Sequence, residues 1–300
     1  KELFKKSKEF SRIIKSGRTH LQDAVPITLG QEFHAYGTMI EKDITRIREV
    51  MGFLIRINTG GNAVGTGINT HPSFGKKVIK HLTKLTKIKW KEARDHIEAT
   101  QSVTDFLEVS EILKIISIDL IKISNDFRLL NSGPVTGLRE INLPAVEPGS
   151  SIMPGKINPS IAEMMNMICY QVIGNNEAIS YSCQAGQLEL NVMTPLIANN
   201  LIESLNILNN GIEIFTNKCV KGIKVNREVC RYYFEHSVGL ATLLNPYIGY
   251  DITAWVVKES IRTGETIREV VLRKNLMHRE DLDRIFDYRR VTSPNLRKLN

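Results

Sequence analysis

Three long stretches of this chain repeat their apolar residues at intervals of three and four, and that spacing restricts the fold to packed helices. From 31 to about 58 the apolar positions are Phe33, Tyr36, Ile40, Ile44, Ile47, Met51, Leu54 and Ile55, with Lys42, Arg46 and Arg48 between them. From 100 to 132 they are Phe106, Val109, Leu113, Ile116, Leu120, Ile123, Phe127 and Leu130, ending at the Gly133-Pro134 stop. Helical periodicity resumes over 161–173 and again over 186–218, where Pro195 is expected to kink the helix. Residues 76–86 read as a shorter helix, and 1–16 come close to helical spacing at Leu3, Phe4, Phe10, Ile13 and Ile14. Nothing alternates with period two for long enough to require a sheet. The expected fold class is therefore all-α: a long central helical bundle over 1–222, then a small C-terminal helical domain over 223–300. Helices of about 30 residues span some 45 Å at about 1.5 Å per residue, longer than a compact domain needs, so their broad apolar faces are expected to meet other subunits as well.

Charge narrows the function. Forty Lys and Arg against thirty-two Asp and Glu give +8, a balance that suits nucleic acid, an anionic membrane or a small polyanionic ligand. The basic residues are scattered, with short clusters at 5–8, 76–91 and the C-terminus, and no interleaved aromatics accompany them. Each run reads as a solvated helix face, and no nucleic-acid partner is expected. No apolar run approaches the roughly eighteen residues that span a bilayer, and the first residues lack a signal-peptide core, so no membrane partner and a cytoplasmic location are expected. Cys169, Cys183, Cys219 and Cys230 match no metal or redox spacing and read as reduced core thiols, while the seven histidines are dispersed and support no metal site.

Two irregular polar stretches interrupt the helices. Residues 17–30, GRTHLQDAVPITLG, carry Gly17, Pro26 and Gly30. Residues 149–158, GSSIMPGKIN, follow Pro148 and put two hydroxyls, a lysine and an amide into ten positions that cannot be helical. A loop with Ser150, Ser151, Lys156 and Asn158 offers an anion one fixed positive charge and several donors, with a serine oxygen available as base or nucleophile. On these residues alone it reads first as a solvated connection between helices, since most serine-glycine loops do no chemistry. Residues 59–75 hold five glycines but fit neither GxGxxG nor GxxxxGK, and read as a turn-rich excursion between helices.

Taken together, GRTHLQDAVPITLGQEF and GSSIMPGKIN resemble the fumarase and aspartase superfamily of lyases. The loop meets the pattern G-S-x-x-M-x-x-K-x-N at every fixed position, and the resemblance runs over essentially the whole chain. Within the superfamily, GRTHLQDAVP, AVGTGIN and AGQLELNVMTP resemble the bacterial aspartate ammonia-lyases, with fumarases a few positions away and argininosuccinate and adenylosuccinate lyases further off.

The resemblance implies elimination of ammonia from L-aspartate to give fumarate, with fumarate hydration as the alternative. Removing a proton beside a carboxylate creates a doubly charged aci-carboxylate, so such a site must concentrate donors there and hold a base against the carbon. By the match, Ser150 is that base, acting as an oxyanion, and Ser151 is the second choice. Lys156 and Asn158 are assigned to the carboxylate that accumulates charge, Thr19 and His20 to the leaving group and second carboxylate, and Glu163 to orienting the histidine. No metal or organic cofactor is implied for the chemical step, although some aspartases are activated by a divalent cation and by substrate. The family is tetrameric, with active sites shared between subunits, and its members carry a further N-terminal region, about a third of their length, that also contacts the substrate carboxylates. This sequence begins about where the family's first long central helix is already under way and shows none of that region, so the expectation is that the missing part is a separate chain or has been lost, or that this chain is not a competent lyase by itself. Asn62 stands where relatives often carry threonine. The reading from a different class is an inactive helical assembly subunit.

Overall fold

Helices form along the apolar stripes and stop where the stripes stop. The computed structural model describes residues 1–147 and 152–294. The chain runs through α1 (Glu2–Glu9), β1 (Ile14–Thr19), β2 (Gln22–Thr28), α2 (Leu29–Leu54), α3 (Phe74–Thr86), α4 (Thr104–Leu130), β3 (Ile141–Asn142) and α5 (Ser160–Gln184). It continues through α6 (Thr194–Ile214), β4 (Lys224–Val225), α7 (Arg227–His236), α8 (Tyr250–Thr263), α9 (Ile267–Arg273) and α10 (Arg279–Ile285). The architecture is helical, as expected, and among the described residues strands occur only in two-stranded pairs.

Contacts divide the chain into two compact units. One gathers Lys1–Gly37, Leu129–Pro144 and Val220–Asn300, the other Thr38–Arg128 and Ala145–Cys219. The chain passes between them inside α2, inside α4, at 144–145 and, for the last time, at 219–220. Residues after that point share their unit with the first 37 residues and with 129–144.

In the second unit α4 turns Val109, Leu113, Ile116, Leu120, Ile123 and Phe127 inward, each at most 8% exposed. Phe127 stacks on Phe215 with ring centroids 5.9 Å apart. Beside that stripe lie Ser110, Ser117 and Ser124, seven residues apart and all buried. Small hydroxyls at this spacing admit a neighbouring helix: Asn176 of α5 donates to Ser110 Oγ at 3.0 Å. On the far side of α5, Asn175 donates to Ser204 Oγ of α6 at 3.1 Å, and Ile168 fills the space over Gly211. Pro195 does not kink a helix. It lies in the first turn of α6, where its missing N–H is not needed, and the helix starts there. Buried Asn191 joins the two helices by donating to the Ser182 and Cys183 carbonyls at 3.0 and 3.1 Å and accepting from the Met193 N–H at 2.9 Å.

The first unit corrects the reading of residues 1–30. Helix α1 ends at Glu9, and 17–30 is neither irregular nor free of strand: β1 and β2 form an antiparallel hairpin, and α2 begins at Leu29. Phe10 meets Phe33 edge-on at 5.2 Å, both almost fully buried. Leu244, Val256, Ile267, Val270 and Leu282, all 0% exposed, form a C-terminal core in the same unit.

Candidate functional site

Thr19 and His20 sit at the tip of the β1–β2 hairpin. Thr19 pairs with Gln22, leaving His20 and Leu21 as a two-residue turn with φ of 55° and 59°. Two left-handed residues in succession are what a type I′ turn requires, and Asn-Gly is the usual occupant. A histidine and a leucine there carry about 1–2 kcal/mol of strain each, a cost that persists only where the surroundings enforce it. Both side chains are exposed.

The enforcement comes from below. Between Ser16 and Arg18 the register slips, with Ser16 opposite Pro26 and Arg18 opposite Asp23, so β2 carries one extra residue opposite Gly17. That bulge adds twist. Lys15 and Arg18, three positions apart and so on opposite faces of a flat strand, both reach Glu140: Lys15 Nζ lies 2.7 Å from Oε2 and Arg18 Nη1 2.8 Å from Oε1. Glu140 is 0% exposed and Lys15 2%. Lys15 also pairs with Glu32 at 3.2 Å. Burial works against the ammonium, but Glu32 and Glu140 outweigh it and hold the Lys15 pKa above its ordinary value. The Arg18 guanidinium covers the Tyr233 ring at 5.2 Å. The Glu140 backbone is fixed at both ends, its N–H donating to Leu130 O and its carbonyl accepting from the Asn226 N–H, each at 2.9 Å. Farther along, Ser16 Oγ donates to Ser237 Oγ at 3.0 Å and the Val238 N–H to Asp23 at 3.2 Å.

The other predicted residues belong to the second unit. Ser150 and Ser151 lie outside the described residues. Beyond them, Lys156 is exposed, with its backbone N–H donating to Met153 O at 3.2 Å, and Asn158 is half-buried. Gly155 turns the chain at φ 81°. Ser160, the first residue of α5, donates to Glu147 and so ties the two ends of this loop together. The segment therefore delivers Asn158 to the N-terminus of α5, where unpaired N–H groups and the helix dipole favour negative charge. Glu163 in the first turn faces Arg128 at 3.6 Å, with both side chains about 40% exposed, an ion pair that contributes little by itself. Thr19 and His20 thus share one unit, and Lys156, Asn158 and Glu163 the other.

A third segment drew only a structural reading from its sequence. Between Gly60 and Asn69 six residues have positive φ, including non-glycines Asn62, Ala63 and Asn69. Asn62 holds the segment closed through Ile68 O at 3.2 Å and Thr70 Oγ1 at 2.6 Å. Strain gathered in one loop marks a candidate functional segment, and its five-glycine density was the available signal.

Among the described residues no three His, Cys, Asp or Glu gather closely enough to hold a metal ion, and no helix is long and apolar enough to cross a membrane. Burial pushes the thiols of Cys169, Cys219 and Cys230 up to about 12, and all four cysteines are free.

Residues 1–174 match the family described as Lyase and residues 240–293 the one described as Fumarase C C-terminus. An aspartate ammonia-lyase of Bacillus subtilis is 46% identical over 97% of this chain and 61% of its own length. A fumarate lyase:delta crystallin from Brucella melitensis, solved bound to cobalt, superposes with a TM-score of 0.95 at 42% identity, covering 98% of this chain and 64% of that one. A recombinant class II fumarase from Schistosoma mansoni gives 0.93 at 37% identity, covering 98% and 64%. The chain thus spans less than two thirds of the length of these relatives.

Proposed function

The chain belongs to the Lyase family, and on that premise we propose that it serves the elimination of ammonia from L-aspartate to give fumarate. The observation that carries this reading is the 46% identity to an aspartate ammonia-lyase over 291 residues, a span long enough to run through both polar segments.

In the proposed reaction the Ser150 oxyanion takes a proton from Cβ. The electron pair enters the adjacent carboxylate, which becomes an aci-carboxylate held by Lys156 and Asn158. Collapse of that intermediate breaks the C–N bond and releases ammonia. Each well-aimed donor contributes about 3 kcal/mol to the transition state. The positive end of α5 behind Asn158 supports an accumulating negative charge. Thr19 and His20 meet the amino group and second carboxylate, Ser151 supports substrate binding, and Glu163 orients the imidazole across a subunit boundary. No organic cofactor enters.

We further place the chain in a cytoplasmic homotetramer. Exposed stripes on α5 (Met167, Tyr170, Tyr181) and on α6 (Ile202, Leu205, Ile212), between 38% and 66% exposed, give the apolar surface that subunit association would cover.

The test uses the longest natural polypeptide that contains these residues. With L-aspartate the ultraviolet absorbance of fumarate should appear, with L-malate it should not, and Ser150→Ala should abolish turnover while leaving the oligomer intact. Turnover of malate alone replaces the substrate assignment with fumarate hydration, and an active Ser150→Ala removes Ser150 as base.

A further inference from the structure

A charge cluster lies under the hairpin, centred on buried Lys15 and Glu140. Lys15 and Glu140, with Arg18 and Glu32 partly exposed beside them, occupy positions that an apolar core would fill at lower desolvation cost, since a buried ion pair seldom stabilises a fold more than well-packed hydrophobic residues do. What charge supplies here is direction. Lys15 and Arg18 leave β1 three residues apart, and one carboxylate takes both, one on each oxygen. Thr19 follows Arg18 directly, and His20 is next in a turn whose backbone is strained. Rotating β1 about its axis to relax that turn would pull Arg18 off Oε1 or Lys15 off Oε2. Glu140 itself cannot follow, because its N–H is bound to Leu130 O and its carbonyl to the Asn226 N–H.

We propose that Glu140 is a positioning residue for the reaction: by taking Lys15 and Arg18 on the two oxygens of one buried carboxylate, it fixes the rotation of β1 and with it the pose of Thr19 and His20. Glu140 touches no substrate in this account. It acts through Arg18 and the strand. The proposal rests on the ammonia-lyase reading for its catalytic consequence, while its conformational consequence stands apart from that reading.

Glu140→Gln keeps the size of the side chain and turns a countercharge into a group that offers Lys15 and Arg18 at most one neutral acceptor. In the intact natural protein this variant should lose between about tenfold and a hundredfold in kcat for L-aspartate, with KM changed less than about threefold, since misplacement of a positioned group falls on the transition state. The double variant Lys15→Met/Glu140→Gln separates direction from stability. It removes the buried ammonium that the single variant leaves with Glu32 as its one countercharge, so the denaturation midpoint should return toward wild type while kcat stays low. Should Glu140→Gln fail to fold, Arg18→Met leaves the Lys15–Glu140 pair in place and should show the same kcat loss. Amide exchange over 19–22 and the His20 ring resonances are read on the same proteins, with exchange at least about tenfold faster expected in the variants.

Wild-type kcat in a folded Glu140→Gln overturns the proposal, and so does recovery of kcat together with stability in the double variant, which marks a purely structural role. If wild type turns over neither aspartate nor malate, the lyase reading fails. The exchange data then decide, unchanged exchange at 19–22 overturning the proposal and faster exchange supporting it.

Discussion

Gly17→Ala adds one methyl group at the point where the hairpin is least able to take it. A Cβ at residue 17 would lie 2.5 Å from Val25 O, a backbone atom of the opposing strand. An unstrained carbon–oxygen contact needs about 3.3 Å, so the strands must part by about 0.8 Å at the bulge. Spread across the roughly 4.8 Å between paired strands, that wedge is a tilt of about 10°, and over the three residues to His20 it moves the turn by about 1.5 Å. The overpacking should cost about 2 kcal/mol of stability. A displacement of more than 1 Å should lower kcat/KM on L-aspartate by about a hundredfold, a larger loss than the stability change explains. Denaturant midpoints at fixed protein concentration give the first quantity, initial rates the second, and amide exchange at Thr19 to Gln22 reports the hairpin directly. A variant with wild-type midpoint and wild-type exchange would show that the strands are not locked at Gly17, and the account of how the hairpin aims its tip would fall with it.

Two other outcomes follow from the same structure. Leu21→Gly replaces a residue at φ 59° by one that adopts it freely; the relief of strain, less the larger entropy lost by glycine, should raise stability by up to about 1 kcal/mol, and a lowered melting temperature would contradict the turn geometry. At alkaline pH the fold should weaken. The thiols of Cys169, Cys219 and Cys230 are held near 12 by burial and Lys15 is held above its ordinary value, so the unfolded chain releases these protons first and stability falls as pH rises from about 9 toward 12. Denaturant midpoints across that range should decline, and a flat profile would show these groups titrating alike in both states.

The helices were legible because they bury what a stripe argument counts. Seven of the eight positions read along α4 are buried, and only Phe106, 39% exposed near the start of the helix, is not. The hairpin was not legible for the converse reason. Its inward positions include Lys15 and Ser16, its turn is His-Leu rather than Asn-Gly, and Pro26 sits within β2, so no apolar alternation marks it. Its sequence looks irregular because it is held by charge. Pro195 misled in a different way: proline ends some helices and begins others, and the polar loop over 185–193 that decides between these contains three leucine or valine residues. Of the site, the motif residues were readable as a set. The left-handed turn that presents His20 and the buried carboxylate beneath it depend on partners more than a hundred residues away.

The passage of the chain between its two units sets an order on its synthesis. Residues 38–219 contain every segment of the second unit, so that unit can close while the rest is still being made. The hairpin cannot. Its partners include Glu140 and, later in the chain, Ser237, so until Ser237 has emerged the strands that carry Thr19 and His20 lack the contact between Ser16 and Ser237. An incomplete product that stops before Ser237 would therefore hold a finished helical unit and a hairpin whose Ser16 still lacks its partner.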